Sequence, residues 1–295
     1  MVATRLRFTG SGTGTFYLDL NKALSVQLRK LHRQKVITTV YGGYFVDAPS
    51  GTNTSRINLA VAPNTWPVKR SINRGFARWR KMIAKTFDNM DAHQSSRKYS
   101  DFKIYLDNQM GSSPLMPKDA SGNQIQASAG EWDYSTLISA DPEPGAQPGD
   151  PDGWELMIVG QHTGEHPDWT RIGLVESWFN SRDPPDVVEP RDVADPSDPL
   201  ANLFDTGDVD DERMAIINTE NDATPYDEDT AFGNAQANGG SNNLMRVSTA
   251  ITSASQNVGN IHGFEALCGL VQVRIVRAEG DWELVLDVES NGVKF

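Results

Sequence analysis

The sequence is short of cysteine and of long apolar runs, and each shortage excludes a class of protein. Cys268 is the one cysteine among 295 residues, so no disulfide bond can form within the chain. No apolar run approaches the ~20 residues that a membrane-spanning helix requires. The residues after Met1 include Arg5 and Arg7 and lack the apolar region of a signal peptide. We therefore expect a protein without a membrane partner that is made and assembled inside a cell and is not secreted by a signal peptide.

Acidic residues are scarce in the first third of the chain and abundant afterwards. Residues 1–104 contain 18 Lys and Arg against 5 Asp and Glu, whereas residues 105–295 contain 9 against 34. The net charge of −12 therefore describes neither part. Such a distribution is typical of a protein that binds a polyanion on a basic face while an acidic face keeps it in solution.

The composition favours a β-rich fold with long loops, because Gly, Pro, Asn and Asp are frequent and long helical patterns are few. Residues 107–153 and 182–243 are predicted to be long loop insertions, since Asp, Pro, Asn and Gly are common there. Residues 21–34 predict a short helix that Asn21 caps. Single short strands are predicted around the turn Gly10–Gly14 and at 101–106, 154–159, 172–179 and 244–249. Two hairpins are also predicted, one formed by 36–46 and 57–61 and the other by 264–276 and 282–288.

The clearest helix is predicted from Asn64 to Asn89, where apolar residues recur every three or four positions. Between Asn64 and Phe87 no acidic residue is present, so the cations on the polar face have no i,i+4 partner and repel one another. They are stable beside an anion, and we predict that they bind nucleic-acid phosphates without reading sequence. A solvated amphipathic helix, or contact with acidic residues of this or a neighbouring chain, are the alternatives. The candidate nucleic-acid-binding residues are Lys69, Arg70, Arg74, Arg78, Lys81 and Lys85.

No motif in the chain predicts an enzyme. His162, Glu165 and His166 match the H-x-x-E-H pattern of one class of zinc protease, but Gly164 and Pro167 disfavour the helix that this pattern needs. The glycine-rich turn at 10–14 lacks the lysine of a phosphate-binding loop. The acidic stretches 205–212 and 227–229 lack EF-hand spacing, and a solvated loop or an interface cation would both fit them. Cys268 is predicted to be a buried residue of an apolar strand. We therefore predict no catalytic residue, no metal and no cofactor.

Several short stretches scattered over residues 36–290 carry one resemblance. They are Asn64–Arg70, Gly75–Trp79, Lys98–Tyr105, Ile158–Gly164, Asp198–Phe204, Asn221–Asp227 and Gly263–Val271. None of these stretches is a catalytic signature, but in their order and spacing together they resemble the capsid proteins of small circular single-stranded DNA viruses that encode a replication initiator, especially uncultured environmental members.

The resemblance implies an all-β fold: a single jelly-roll β-sandwich over residues 1–295, with eight antiparallel strands and one or two inserted helices. It also implies that many copies self-assemble into an icosahedral shell that encloses circular single-stranded DNA in the virion. Many such proteins begin with an Arg-rich arm, whereas this chain has only Arg5 and Arg7 in its first twenty residues. Contact with the genome is therefore expected from the folded surface, with the helix at 69–85 as the best candidate.

Two other functions remain alternatives. The first is a soluble β-sandwich binding module for a polyanion or a carbohydrate, with aromatic residues such as Trp132, Tyr134 and Trp169 as its platform. The second is a zinc hydrolase that uses His162, Glu165 and His166.

Overall fold

The protein is mostly β, with two stacked antiparallel sheets and a third sheet beside them. The structure is a computed structural model, and it describes residues 3–47, 49, 53–90, 101–111, 114–125, 132–140, 151–164, 169–180, 244–278 and 280–293. The first sheet contains, in spatial order, β1 (Thr4–Ser11), β12 (Asp281–Val293), β3 (Ile37–Val46) and β10 (Val258–Leu267). The second contains β2 (Gly14–Asp19), β11 (Leu270–Arg277), β4 (Thr54–Val61) and β9 (Met245–Ser253).

Apolar side chains from the two sheets form one buried core. The first sheet contributes Phe8 and Phe45, and the second contributes Leu59 and Val273, all of them fully buried. Trp282 closes one end, where its ring packs edge-on against Phe16 at a centroid distance of 5.1 Å. Because strand side chains alternate between two faces, each strand supplies the core with every second residue. The predicted all-β sandwich is confirmed at this level.

In the sandwich, β1 to β4 alternate between the two sheets along the chain, and so do β9 to β12. β3 pairs with β10 and β12, whereas β4 pairs with β9 and β11, so the hairpin predicted from 36–46 and 57–61 is wrong. The second predicted hairpin is wrong for the same reason, because β11 and β12 belong to different sheets. Alternation predicts most of these strands near their observed positions, but it joins β10 and β11 into one strand at 264–276. Alternation reveals a strand with one buried face, but it does not reveal which strand lies next to it.

The third sheet lies in the long segment between β4 and β9. Its spatial order is β5 (Thr136–Ala140), β6 (Pro151–Met157), β8 (Trp169–Gly173) and β7 (Thr163–Gly164), with β6 and β8 parallel. Strand β5 falls inside the segment predicted as the first loop insertion. The second predicted insertion, 182–243, lies entirely outside the described residues.

In the part of the chain that the structure describes, three helices accompany the sheets: α1 (Leu20–Leu28), α2 (Trp66–Met90) and α3 (Leu174–Asn180). The periodicity predicted α2 and α1, although α1 is capped by Asp19 and not by Asn21. The predicted strand at 172–179 is wrong beyond position 173, because α3 begins at Leu174. That residue packs against Gly75 of α2, where a Cβ atom would lie 2.7 Å from Leu174 Cδ2. The predicted strand at 101–106 is also wrong, since this segment forms only a single bridge, from Tyr105 to Met157.

A buried carboxylate at the end of β2 joins the sandwich to the segment that carries the third sheet. Asp19 Oδ1 accepts a hydrogen bond from the Lys22 backbone N–H at 2.9 Å, which caps α1. Asp19 Oδ2 accepts from Gln34 Nε2 at 2.7 Å and from Trp132 Nε1 at 3.1 Å. Gln34 Oε1 in turn accepts the Ile104 backbone N–H at 2.7 Å. Burial raises the pKa of the Asp19 carboxyl, and these donors partly offset that rise.

A second buried carboxylate, Asp107, reinforces this connection. Its Oδ2 accepts from Tyr17 Oη at 2.8 Å and from Gln272 Nε2 at 3.3 Å, and both donors lie on strands of the second sheet. The pKa of Tyr17 is raised, first by burial and then by the neighbouring Asp107 charge. We call the two carboxylates, Asp19 and Asp107, with their donors the polar joint.

Cys268 lies in the turn between β10 and β11, so the prediction that it belongs to a strand is wrong. Its φ is +58°, and the following Gly269 has a φ of +68°. The turn is held by hydrogen bonds from Asn21 Nδ2 to the Cys268 carbonyl at 2.9 Å and from the Cys268 N–H to the Val36 carbonyl at 3.1 Å. The thiol is buried, as predicted, and burial raises its pKa.

The close approach of β3 to β12 predicts a stability effect at Gly43. A Cβ atom at this position would lie 2.0 Å from the Val285 carbonyl oxygen, so Gly43→Ala should force two central strands apart. We expect a loss of about 1–3 kcal/mol in the free energy of unfolding, measured from the urea midpoint. Gly111→Ala is the matched control, because nothing lies within 4 Å of its Cβ position. Equal stabilities of the two variants would contradict the prediction.

The buried thiol predicts slow alkylation. Only the thiolate reacts, and Cys268 is both inaccessible and held in its protonated form. Iodoacetamide should label the native protein about 1,000-fold or more slowly than the urea-unfolded chain, because labelling requires opening of the fold. The chain has one cysteine, so the mass of the adduct reports this residue alone. Rapid labelling of the native protein would show that the turn is open to solvent.

Candidate nucleic-acid interface

One face of α2 is packed against the third sheet and the segment before it. Val68 and Ile72 are fully buried, and Phe76 and Trp79 are partly buried in the same apolar cluster. The rings of Phe76 and Trp79 lie 5.5 and 5.8 Å from the ring of Phe102. Apolar residues at i, i+4, i+8 and i+11 form a single stripe on a helix, so burying this stripe turns the opposite face of α2 outward.

The predicted cations lie on that outward side of α2. Arg70, Arg78, Lys81 and Lys85 are exposed, whereas Lys69 and Arg74 are half-buried. Arg80, which is not among the predicted binding residues, is also exposed. The structure therefore brings four of the six predicted residues onto one accessible surface. We call Arg70, Arg74, Arg78, Lys81 and Lys85 the basic stripe.

Several arginines elsewhere in the described residues pair with carboxylates. Arg5 binds Asp287 with its Nε 2.8 Å from Oδ1, and Arg171 binds Glu155 with its Nε 2.9 Å from Oε2. In contrast, no carboxylate among the described residues forms an ion pair with Arg70, Arg78, Lys81 or Lys85. Neighbouring like charges on a helix cost a few tenths of a kcal/mol per pair. An external anion would remove this cost.

The length of the basic stripe suits an extended polyanion better than a single ion. Residues 70 and 85 are 15 positions apart, which corresponds to about 22 Å along a helix that rises 1.5 Å per residue. Positions 70, 74 and 78, and positions 81 and 85, are each spaced by four residues and lie one above another. Such a row can contact several phosphates of one strand at once.

Trp154 of β6 lies beside the basic stripe and was missed by the sequence analysis. It lines a cleft whose other wall contains Arg74 and Arg78. The alternating pattern predicts a strand that begins at this tryptophan, but periodicity carries no information on which helix that strand faces.

His162, the first residue of the H-x-x-E-H pattern, does not lie on a helix. His162 precedes β7, and Thr163 and Gly164 form that strand. The imidazole Nδ1 accepts the Gly173 backbone N–H at 3.1 Å, and burial lowers the pKa of this histidine. Glu165 and His166 lie outside the described residues. Among the residues that are described, no group of three metal-ligating side chains occurs.

Two of the three predicted aromatic platform residues are not on the surface. Tyr134 is buried, and Trp132 is half-buried with its Nε1 bound to Asp19. The predicted platform is therefore wrong for these two rings, which belong to the polar joint. The side chain of Trp169 and the acidic stretches 205–212 and 227–229 lie outside what the structure describes.

Comparison with known proteins identifies no relative of this chain. No family model matches it, and neither a curated protein nor a solved structure matches it. None of the helices in the described residues combines the length and the hydropathy needed to cross a membrane. The function proposed for this chain therefore rests on the sandwich and on the basic stripe.

Proposed function

We propose that the chain is the capsid subunit of a small single-stranded DNA virus. In this proposal residues 1–295 form one jelly-roll domain, and many copies assemble into an icosahedral shell around circular DNA. The protein acts as a structural component of the virion and needs neither catalysis nor a cofactor. Its partners are further copies of itself and single-stranded DNA bound without sequence specificity.

The strand order of the sandwich is the observation that carries this proposal. When its eight strands are numbered along the chain, one sheet has the order 1-8-3-6 and the other 2-7-4-5. Two Greek keys wound into a jelly roll produce this order, in which the first and last strands are neighbours. The pairing of β1 with β12 and of β2 with β11 supports it directly. The third sheet then becomes an insertion between the fourth and fifth strands.

A jelly roll alone does not specify a function, since lectins and enzymes also use it. The basic stripe supports the capsid over these, because its exposed cations have no carboxylate partner among the described residues and extend over about 22 Å. This surface fits a phosphate backbone. The acidic remainder of the chain would repel neighbouring particles and keep them in solution.

Exposed apolar side chains at one edge of the sandwich support assembly from copies of the same chain. β9 and β10 are edge strands of their sheets, joined by a tight turn with reciprocal backbone hydrogen bonds between Ser253 and Gln256. Ile251 is 56% exposed and Val258 is 39% exposed, and these two residues flank that turn. Large apolar side chains exposed in this way form a surface that other chains bind. A neighbouring subunit would cover it.

The basic stripe also favours a second candidate, a soluble β-sandwich module that binds a polyanion as a monomer. The two candidates share the phosphate contacts and differ in assembly. The carbohydrate version of this module loses its support from Trp132 and Tyr134, which the fold buries or half-buries.

Assembly predicts the size of the purified protein. The full chain, with a subunit mass of 32.4 kDa, should elute as a closed particle on the order of a megadalton. Light scattering gives the mass, and negative-stain images should show uniform shells. A stable 32.4 kDa monomer across a range of salt and protein concentrations would contradict the capsid proposal and favour the monomeric module.

Phosphate binding by the basic stripe predicts a specific salt dependence. Arg78→Gln with Lys81→Gln should weaken binding of a poly-dT oligonucleotide and lower the slope of log K against log salt by about 1.4, since each lost contact to single-stranded DNA contributes about 0.7. The matched control is Arg246→Gln with Arg277→Gln, two exposed cations on β9 and β11. An equal change of slope in both double variants would assign the binding to overall charge and not to the stripe. The same pairs of substitutions in assembled particles should lower the packaged DNA only for the α2 variant.

A further inference from the structure

A cleft lies between α2 and the third sheet, directly beside the basic stripe. Its volume is about 280 Å³. Arg74, Gly75 and Arg78 line it from α2, and Leu137, Trp154 and Leu156 line it from β5 and β6. The cleft therefore combines two guanidinium groups with an apolar and aromatic wall.

The packing of α2 against α3 sets the position of this cleft. Gly75 has no Cβ atom, so Leu174 at the start of α3 comes close to the backbone of α2. At the N-terminal end of α2, Trp66 packs edge-on against Trp178 of α3 at a centroid distance of 5.1 Å. The two helices are thus held together near these points, and the cleft lies between α2, α3 and the neighbouring strands.

Trp154 differs from the other tryptophans whose side chains are described. Trp66, Trp79 and Trp178 pack against other rings, and Trp132 donates to Asp19. Trp282 packs against Phe16 and donates its Nε1–H to the Gly12 carbonyl. Trp154 is half-buried, and within the described part of the chain its ring packs against no other aromatic ring and its Nε1 meets no acceptor. A large flat indole thus faces a cleft that also contains arginine. Base stacking on aromatic rings next to arginine is a recurring mode of single-strand binding.

We infer that this cleft binds one base of a single-stranded nucleic acid, stacked on Trp154, while Arg78 and the rest of the basic stripe bind the phosphates on either side of it. This inference rests on the proposed function and adds a base contact to its phosphate contacts. The volume is near the lower end of the ~300–1,000 Å³ that small-molecule sites occupy, which suits one nucleotide and not several. Recognition is tolerant of sequence, because every base has a flat π-face.

Two oligonucleotides with equal phosphate counts separate stacking from charge. The first is a poly-dT strand, and the second is the same strand with abasic sites throughout. We expect the wild-type protein to bind dT more tightly, by fluorescence anisotropy of a labelled end. Trp154→Ala should weaken dT binding about 5- to 150-fold, the effect of one lost base stack. Its binding of the abasic strand should not change, and Trp154→Phe should retain most of the preference for dT.

Tyr41→Ala is the control, because this residue is an exposed aromatic of β3 that does not line the cleft. It should leave the preference for dT intact. The inference is overturned if the wild-type protein binds both strands equally, or if Trp154→Ala weakens both strands equally, which would show a structural role. It is also overturned if Tyr41→Ala removes the preference as fully as Trp154→Ala does. These results would leave the capsid proposal standing, since that proposal fails on the absence of particles and not on the choice between the two strands.

Discussion

The polar joint is the interaction on which the arrangement of the other parts depends. Asp19 ends β2 and caps α1, and its second oxygen accepts from Gln34 and Trp132, so one carboxylate connects segments on both sides of the sandwich boundary. Asp107 accepts from two residues of the second sheet. A buried carboxylate that loses its donors costs several kcal/mol, so these contacts are made together or not at all. The segment carrying the third sheet is therefore held in one orientation.

That orientation determines the surface that α2 presents. The apolar stripe of α2 packs against Phe102. Phe102 lies two residues before Ile104, whose backbone N–H binds Gln34 of the polar joint. Burial of the apolar stripe leaves the basic stripe on the outside. In the proposed capsid the sandwich forms the shell and α2 binds the genome. Shell formation and DNA binding are therefore carried out by different parts of one chain.

Local patterns in the sequence predicted α1, α2 and most strands correctly, whereas features that depend on a distant partner, such as strand pairing, were predicted wrongly. The helix α2 was predicted within two residues at its start, because its apolar residues and Pro67 are contained within the helix itself. The strands were found from alternation, but both hairpins were wrong, since β4 and β12 pair with strands far away along the chain. Residues 172–179 have the apolar density of a strand, yet the fit of Leu174 against Gly75 favours a helix. Trp132 and Tyr134 were expected on the surface because nothing near them in the sequence marks Asp19 as their partner.

The sequence by itself determined the all-β character of the protein, the basic helix and the separation of charge between its first third and the remainder. These properties follow from residue type and from spacings of two to four residues, which act within a single element. Only the tertiary structure decided the order of the strands, the burial of Trp132 and Tyr134, and the position of Trp154 and Arg78 in the walls of one cleft. Those features arise because buried polar groups must find donors and apolar faces must find each other across more than a hundred residues, and no short spacing records which pairs will meet.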